Sequence, residues 1–336
     1  MRQVWISRRG APEVLEVREA EDPEPGEGEV VIEVRAAGIN FADIMARMGL
    51  YPDAPPPPCV VGYEVAGVVS ALGKGVTELA EGDRVIALTR FGGYTDRACV
   101  PVLQAQRMPA ELSFEEAAAI PVNYLTAWMM LVKLGNVEAG ERVLVHAAAG
   151  GVGQAAVQIC KWRGAEIIGT ASEGKHERLR ERGVAHTTDY RNEDFEEVVR
   201  DKVGTVDIVL DAVGGASFKK SHRLLGPMGR LFMFGVSSFA PGTTRSMLSA
   251  IKGFVQMPRF GPVALMNDNH GVFGVNLGHL WEVAPKLRKM LGDVAERVEA
   301  GDFAPVVDKS FAFDEAPKAH QYIQDRKNFG KVILTP

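Results

Sequence analysis

The spacing of apolar residues changes along the chain at about residue 122. Before that point, short runs of β-branched residues alternate with clusters of Gly, Pro and Asp, which is the pattern of strands separated by turns. The clearest runs are 30–35, 64–69 and 83–88. This first part of the chain therefore predicts a β-rich, barrel-like domain.

Beyond residue 122, apolar strands alternate with helical stretches. The predicted strands are 143–145, 166–170, 206–211 and 229–235, and the predicted helices are 154–163, 175–182, 193–202 and 216–225. Such alternation predicts an α/β fold, with a doubly wound parallel sheet that carries helices on both faces. The pattern dissolves at 240–270, where we expect a loop-rich crossover with one short amphipathic helix at 246–256. The chain then ends in a helix at 315–325 and a strand at 331–334.

One glycine-rich turn follows the strand 143–145 and precedes the helix 154–163. It reads His146-Ala-Ala-Ala-Gly-Gly-Val-Gly153, with Ala148 at the first glycine position of the dinucleotide-binding fingerprint and Gly150 and Gly153 at the others. Glycines permit a tight turn, and the free N–H groups at a helix N-terminus suit a pyrophosphate. A glycine turn of some other α/β protein is the alternative interpretation of this motif alone.

The next predicted strand ends about 20 residues after the glycines, where the fingerprint expects a ribose-binding residue. An NAD enzyme places Asp or Glu there, whereas this chain has Ala171-Ser172 and then Lys175. A hydroxyl and an ammonium suit a 2′-phosphate, which favours NADPH. Glu173 is an objection, because it could turn toward the ribose, and Lys175 could instead be an ordinary solvated residue of a charged helix.

Composition narrows the class of protein. The chain has 336 residues, 46% hydrophobic and 24% charged, with a formal net charge of -5, as in a soluble two-domain protein without a basic surface for nucleic acid. Its three cysteines are far apart, which argues against a disulfide framework or a C-x-x-C metal cluster. No secretory signal is visible at the N-terminus, and the apolar run 117–132 is too short and polar for a membrane span. We expect a cytoplasmic protein.

A set of ordered motifs resembles the zinc-free quinone oxidoreductase branch of the medium-chain dehydrogenase/reductases. Within that branch the chain is similar to the synaptic vesicle amine-transport protein homologues. The motifs are Gly38-Ile-Asn-Phe-Ala-Asp43, Gly49-Leu-Tyr51, Gly62-Tyr-Glu-Val-Ala-Gly67, Ala80-Glu-Gly-Asp-Arg-Val85, Val122-Asn-Tyr-Leu-Thr126, His146–Gly153, Gly169-Thr-Ala-Ser172, Asp189-Tyr190 and Asn328-Phe-Gly-Lys331.

The resemblance implies a GroES-like catalytic domain formed by 1–121 and 266–336, around a Rossmann NADPH-binding domain at 122–265. It implies an active site in the cleft and a homodimer paired through the edges of the Rossmann sheets. Zinc-dependent relatives need a Cys where this chain has Asn40, and a His in the motif that here reads Gly62-Tyr63-Glu64. Zinc prefers thiolate and imidazole ligands, and no histidine lies at ligand spacing to a cysteine, so we expect a zinc-free protein.

The resemblance also assigns residues to the cofactor. The pyrophosphate would lie over Gly150, Gly151 and Val152, and the 2′-phosphate against Ser172, Lys175 and Tyr190, although Tyr190 could be a surface aromatic residue. Positions near the nicotinamide and its ribose are Thr126, Phe234, Gly235, Phe273, Val275 and Asn328. For the aromatic members of this group, packing in the core is the alternative.

Catalysis would depend on positioning and on hydrogen-bond donors at the oxygen that gains charge. Asn40 and Asp43 would lie beside the cofactor, although both residue types also cap helices well. Tyr51 is the preferred proton donor or oxyanion-stabilising residue, with Tyr63 and Tyr94 as the next candidates. Met45 replaces a tyrosine that some quinone reductases carry facing the cofactor, which removes one candidate donor. Tyr63, Phe91 and Tyr94 are candidates for the acceptor pocket, or for the core.

The leading hypothesis is an NADPH-dependent reductase of a quinone or an α,β-unsaturated carbonyl compound. One alternative is an enoyl-thioester reductase, because polyketide-synthase enoylreductase domains share the glycine turn. The other is a weakly catalytic vesicle- or lipid-handling protein. Peripheral lipid contact would use 240–270, where Lys252 and Arg259 lie among Met and Phe residues, although an active-site flap is the preferred interpretation there.

Overall fold

A computed structural model describes all residues of the chain except 241 and 243–245, and the side chains at 247 and 250 are not described. The described residues form two compact units. The first comprises Met1–Leu125, Gly242 and Leu277–Pro336, and the second comprises 126–240 and Ser246–Asn276. The sequence predicts the domain boundaries at 121/122 and 265/266 instead.

Several strands begin or end directly beside residues of the predicted site. They are β1 (Arg2–Ile6), β2 (Leu15–Glu19), β3 (Glu29–Ile39), β4 (Cys59–Val60), β5 (Glu64–Leu72), β6 (Arg84–Leu88), β7 (Arg97–Pro101), β8 (Ala105–Arg107), β9 (Arg142–Val145), β10 (Glu166–Ala171), β11 (His186–Asp189), β12 (Val206–Asp211), β13 (Leu225–Met233), β14 (Gly271–Gly274), β15 (Val307–Ala312) and β16 (Lys331–Thr335).

The α-helices are α1 (Phe41–Met48), α2 (Phe114–Ala118), α3 (Pro121–Trp128), α4 (Gly151–Arg163), α5 (His176–Glu181), α6 (Phe195–Val203), α7 (Ala216–Arg223), α8 (Met247–Val255), α9 (Pro262–Asp268), α10 (Ala284–Glu299) and α11 (Ala316–Gln324). A π-helical turn, Met129–Leu134, follows α3. The apolar run 117–132 thus forms short helical segments, broken where Pro121 begins α3.

The first unit is built on a seven-stranded sheet in which most neighbours are antiparallel. Its order is β15-β16-β3-β5-β6-β8, with β7 also paired to β3, and a smaller sheet has the order β2-β1-β4. Alternate residues of the long strands point into one apolar core that includes Val34, Val65, Val85 and Val332. The predicted β-rich, GroES-like domain is confirmed.

The second unit contains a six-stranded sheet whose neighbouring strands are all parallel. Its order is β11-β10-β9-β12-β13-β14, so the strand order reverses beside β9. This is the order of a Rossmann fold, in which ligands bind at the carboxyl ends of the strands next to the reversal. The predicted doubly wound sheet is confirmed.

The sequence pattern misses several elements, among them β11 of the Rossmann sheet and most of the short strands of the first unit. At 240–270 the structure contains the predicted helix, as α8, and also α9, while β14 directly follows this region. β14 has only four residues, with glycine at each end, too few to show alternation. It nevertheless pairs in parallel with β13, so the Rossmann sheet extends past the predicted boundary at 265. Beyond it, α10 and β15 are also missed.

Candidate active site

The glycine turn lies where the Rossmann order predicts it. β9 ends at Val145, and Gly150 is the N-cap of α4. The first turn of α4 holds no acidic residue, so its N–H groups and positive dipole end are left for an anion. A Cβ on Gly153 would lie 2.4 Å from the Ala147 carbonyl oxygen, which explains glycine at this position. These features fit a pyrophosphate over Gly150, Gly151 and Val152.

The residues predicted for the 2′-phosphate meet at one edge of the sheet. Ser172 follows β10 directly, Tyr190 follows β11 directly, and the preceding residues Ala171 and Asp189 are partners in the parallel register. Lys175 is half-buried and ends the 3-10 turn that begins at exposed Glu173. The structure therefore brings all three candidates to the carboxyl ends of neighbouring strands.

A further basic residue at this edge is Arg191, which the sequence analysis misses. Its guanidinium carbon lies 5.9 Å from the centroid of the Tyr190 ring. A hydrogen bond to Tyr190 raises the pKa of Arg191. A basic residue immediately after Tyr190 was the available signal in the sequence.

The candidates near the nicotinamide divide between the two units. Phe234 and Gly235 follow β13, and Val275 follows β14 and donates its N–H to the Met233 carbonyl at 3.0 Å. Phe273 lies in β14 and stacks on Phe232, with ring centroids 4.9 Å apart; this contact is the packing role weighed for the aromatic members. Thr126 is buried in the second unit.

Asn328 belongs to the first unit, where its amide donates to the Gly330 carbonyl at 3.0 Å. It therefore helps to shape the turn before β16.

Asp43 is a helix-capping carboxylate in the first unit. Oδ2 accepts the Asn40 N–H at 2.8 Å, and Oδ1 accepts the Gly62 N–H at 2.9 Å. Complete burial raises the pKa of Asp43 to about 7, against the opposing effect of these hydrogen bonds. The contacts correspond to the capping role that the sequence analysis weighed for Asp43, whereas the Asn40 side chain is bonded elsewhere.

The Asn40 side chain is bonded to a buried ion pair that the sequence analysis misses. Its Oδ1 accepts from Lys331 Nζ at 2.7 Å, and its Nδ2 donates to Glu64 Oε1 at 2.9 Å. Lys331 also pairs directly with Glu64, and both side chains are buried. Glu64 Oε2 accepts the Val122 N–H at 2.7 Å. A charged residue at the start of an otherwise apolar strand, as in β5 and β16, was the available signal.

Three of the predicted aromatic residues form one cluster. The Tyr51 and Tyr63 rings meet edge to face with centroids 6.3 Å apart, and Tyr63 contacts Phe91 at 5.4 Å. Burial, followed by the nearby Asp43 and Tyr51, raises the pKa of Tyr63. Tyr94 is completely buried, and its hydroxyl is hydrogen-bonded to His320 Nε2 at 3.1 Å. Tyr94 is thus part of the core of the first unit, as the alternative interpretation allowed.

Two searches over the described residues bear on other classes of site. In that part of the chain, no group of three or more His, Cys, Asp or Glu residues is arranged to hold a metal ion. Among the same residues, no helix has the length and apolar character needed to cross a membrane.

Comparison with known proteins identifies the class. Residues 26–128 match the alcohol dehydrogenase GroES-like domain family, and residues 182–334 match the zinc-binding dehydrogenase family. The crystal structure of Escherichia coli quinone oxidoreductase complexed with NADPH has a TM-score of 0.88 at 30% identity, with 100% of each chain covered. The chain belongs to the medium-chain dehydrogenase/reductase superfamily and has the fold of its oxidoreductases.

Within that superfamily, the chain is close to the VAT-1 group. It is 39% identical to the human synaptic vesicle membrane protein VAT-1 homolog over 324 residues, which cover 96% of this chain and 82% of that protein. The crystal structure of CurK enoyl reductase has a TM-score of 0.84 at 32% identity, covering 99% of this chain and 98% of that chain. The predicted family is confirmed.

Proposed function

We propose that this protein is an NADPH-dependent, zinc-independent reductase that transfers hydride to a quinone or an α,β-unsaturated carbonyl compound. The observation that carries the proposal is the second unit's sheet edge. There, a glycine turn opens α4 beside Ser172, Lys175, Tyr190 and Arg191, so an anion-binding helix end and basic groups for a 2′-phosphate share one edge.

The cofactor part of the proposal rests on charge. A 2′-phosphate needs cationic and hydroxyl donors, which Lys175, Arg191 and Ser172 provide. Glu173 is exposed, so solvent can hydrate its carboxylate away from the phosphate. The crystal structure of E. coli quinone oxidoreductase, which is complexed with NADPH, supports the choice of NADPH.

Zinc independence rests on the donor set around Asn40. Where zinc-dependent relatives carry a cysteine, this chain has a carboxamide whose oxygen and nitrogen are already bonded to Lys331 and Glu64. A carboxamide so engaged is a poor substitute for thiolate. Without a Lewis acid, the acceptor has to be one that takes hydride with hydrogen-bond help alone, as a quinone or enone does.

Bound NADPH would supply the hydride, and the protein would supply position and a proton. Hydride and one proton together would convert a quinone to its quinol, or an enone to the saturated carbonyl compound, and the oxygen that gains negative charge would need a proton donor. We assign that proton to the Tyr51 hydroxyl. Tyr63, which packs on Tyr51, and Phe91, which packs on Tyr63, would provide apolar contact for the acceptor.

Cofactor choice is tested by replacing Lys175 with Ala. Loss of one charge-assisted contact is expected to weaken NADPH binding about 10- to 100-fold and to leave NADH binding nearly unchanged. Nucleotide fluorescence titration gives both dissociation constants. Lys161→Ala, which removes an exposed lysine near the end of α4, is the matched control. Equal weakening of both nucleotides would contradict the 2′-phosphate assignment.

The acceptor is tested by NADPH oxidation at 340 nm with 1,2-quinones, 1,4-quinones, enones and enoyl thioesters. Turnover of quinones or enones is expected. Turnover of enoyl thioesters alone would favour the second candidate, an enoyl-thioester reductase, which the structural likeness to CurK enoyl reductase supports.

Peripheral lipid contact is a third candidate, supported by α8. Leu248 is 82% exposed and Phe254 72% exposed, and no Asp or Glu occurs between residues 237 and 267. An apolar, acid-free helix with basic neighbours suits an anionic membrane surface. Co-sedimentation with phosphatidylserine vesicles tests this: binding that Phe254→Ser abolishes, together with no turnover of any acceptor, would replace the reductase proposal.

We also propose a homodimer. β14 ends the strand order of the Rossmann sheet, and within the described residues it pairs only with β13. Pairing with β14 of a second copy would satisfy its outer edge. Light scattering is expected to give twice the 36.4 kDa chain mass, and a mass of one chain would contradict the proposal.

A further inference from the structure

A buried histidine is the first residue of the glycine-rich turn. His146 follows β9 and is 2% exposed. Its Nδ1 lies 3.2 Å from the Thr170 hydroxyl, and its Nε2 lies 3.1 Å from the Ser221 hydroxyl. The imidazole therefore connects the end of β9 with β10 on one side and with α7 on the other.

The donors and acceptors around His146 permit only one proton order, that is, one assignment of which atom in each hydrogen bond carries the proton. The Asp211 carboxylate can only accept, so Ser217 and Ser221 each donate to its Oδ2 at 2.7 Å. Because the Ser221 proton is used there, Ser221 Oγ must accept from His146 Nε2–H.

The other imidazole nitrogen then carries a lone pair. Thr170 Oγ1 accepts the Ala147 N–H at 3.2 Å, so its own proton is available for His146 Nδ1. Every group in the chain Ala147–Thr170–His146–Ser221–Asp211 is satisfied only when His146 is the neutral Nε2–H tautomer. Burial, which lowers the pKa of His146, agrees with a neutral ring.

The chain of hydrogen bonds ends at Ala147, a residue of the turn with an unfavourable backbone conformation. Ala147 has a φ of 52°, a left-handed conformation that is unfavourable for a residue with a Cβ. Its carbonyl oxygen accepts the Gly150 N–H at 2.8 Å and is the atom that a Cβ on Gly153 would meet. The orientation of the Ala147 peptide groups therefore determines where Gly150 and the start of α4 lie.

We propose that Thr170, His146, Ser221 and Asp211 form a proton-ordered chain that holds the Ala147 amide and so sets the dinucleotide-binding turn in its binding conformation. His146 and Thr170 are positioning residues, because they act through Ala147. The proposal deepens the proposed function and rests on dinucleotide binding at this turn.

The decisive comparison uses two buried threonines on neighbouring strands. Thr170 and Thr188 are partners in the β10–β11 register, and both are buried. Within the described residues, the Thr188 hydroxyl has no hydrogen-bond partner. Thr170→Val removes the contact with the Ala147 N–H, whereas Thr188→Val makes the same change in volume and polarity without touching the turn.

Thr170→Val is expected to raise the dissociation constants of NADPH and NADH together, about 10-fold, because the turn faces the pyrophosphate common to both. Thr170→Ser, which keeps the hydroxyl, should restore binding to within about 3-fold, and Thr188→Val should leave both constants unchanged. Equal affinity in Thr170→Val and wild type would overturn the positioning role. So would equal losses in the Thr170→Val and Thr188→Val variants.

A measurement without nucleotide tests the proton order. In ¹⁵N-histidine NMR spectra of the free protein, His146 is expected to show a protonated Nε2 and an unprotonated Nδ1, and Ser221→Ala should disturb this pattern. A protonated Nδ1 would overturn the proton order. If the wild type binds neither nucleotide, the proposed function and the positioning role both fall, while the NMR spectrum still decides the proton order.

Discussion

The buried ion pair of Glu64 and Lys331 makes a quantitative prediction about the first unit. Glu64 is fully buried and Lys331 is 2% exposed. In Lys331→Met, the Glu64 carboxylate would retain only its contacts with the Asn40 amide and the Val122 N–H. Breaking a buried pair on one side leaves an uncompensated charge, so we expect a loss of about 3–5 kcal/mol in the free energy of unfolding.

A surface pair near the same end of the chain provides the control. Lys327 is 59% exposed and lies 2.9 Å from Asp325. Lys327→Met removes the same charge and the same side-chain length, but solvent hydrates the carboxylate that remains. This variant is expected to lose about 0–1 kcal/mol. The difference between the two variants therefore isolates the effect of burial.

Urea unfolding followed by circular dichroism measures these losses, and native-state hydrogen exchange in β5 and β16 assigns them to the first unit. The double variant Glu64→Gln with Lys331→Met should recover most of the loss. Its neutral amide can accept from the Val122 N–H and can donate to Asn40 Oδ1, which loses its Lys331 donor and can turn toward residue 64. If Lys331→Met costs no more than Lys327→Met, Glu64 does not depend on Lys331 for charge compensation and the reasoning is refuted.

Two further predictions concern pH and close packing. Burial holds the pKa of His320 well below its usual value, so the unfolded chain binds a proton that the folded chain excludes. The free energy of unfolding therefore falls as the pH drops through about 6.5, by up to about 1.4 kcal/mol per pH unit. His320→Gln should reduce this slope in unfolding titrations between pH 8 and 5; equal slopes in His320→Gln and wild type would contradict the prediction. Gly153→Ala would place a Cβ 2.4 Å from a backbone oxygen. It should lower the free energy of unfolding by about 1–3 kcal/mol and weaken NADPH binding, whereas Gly174→Ala, whose Cβ meets nothing within 4 Å, should do neither. Calorimetry and nucleotide titration measure the two effects.

The second unit shows how much of the fold the local sequence pattern predicts. The strand β12 is predicted at its observed bounds, and α4 follows its glycine turn as expected, because a buried parallel strand is a mostly apolar run and a glycine turn is a local signal. β14 is missed, because four residues with glycine at each end show no periodicity and become a strand only by pairing with β13.

The candidate site is likewise predicted only in part from the sequence. From the sequence, Ser172 is predicted to follow a parallel strand, and the resemblance assigns Tyr190 to the same phosphate. That Tyr190 follows β11, the neighbour of β10, is seen only in the structure. The sequence does not indicate that Glu64 pairs with Lys331, 267 positions away, nor that His146 lies between Thr170 and Ser221. A polar residue in an apolar strand shows only that a partner is required.

By itself, the sequence determined the class of fold, the family, the glycine turn and the candidate residues for its chemistry, because these depend on local spacing and residue type. Only the tertiary structure decided that Asn40 is bonded to a buried ion pair, that Asp43 caps α1, and that a chain of hydrogen bonds supports Ala147. Those contacts join residues that are distant in sequence, and they are required because a polar group that is buried without a hydrogen-bond partner costs free energy.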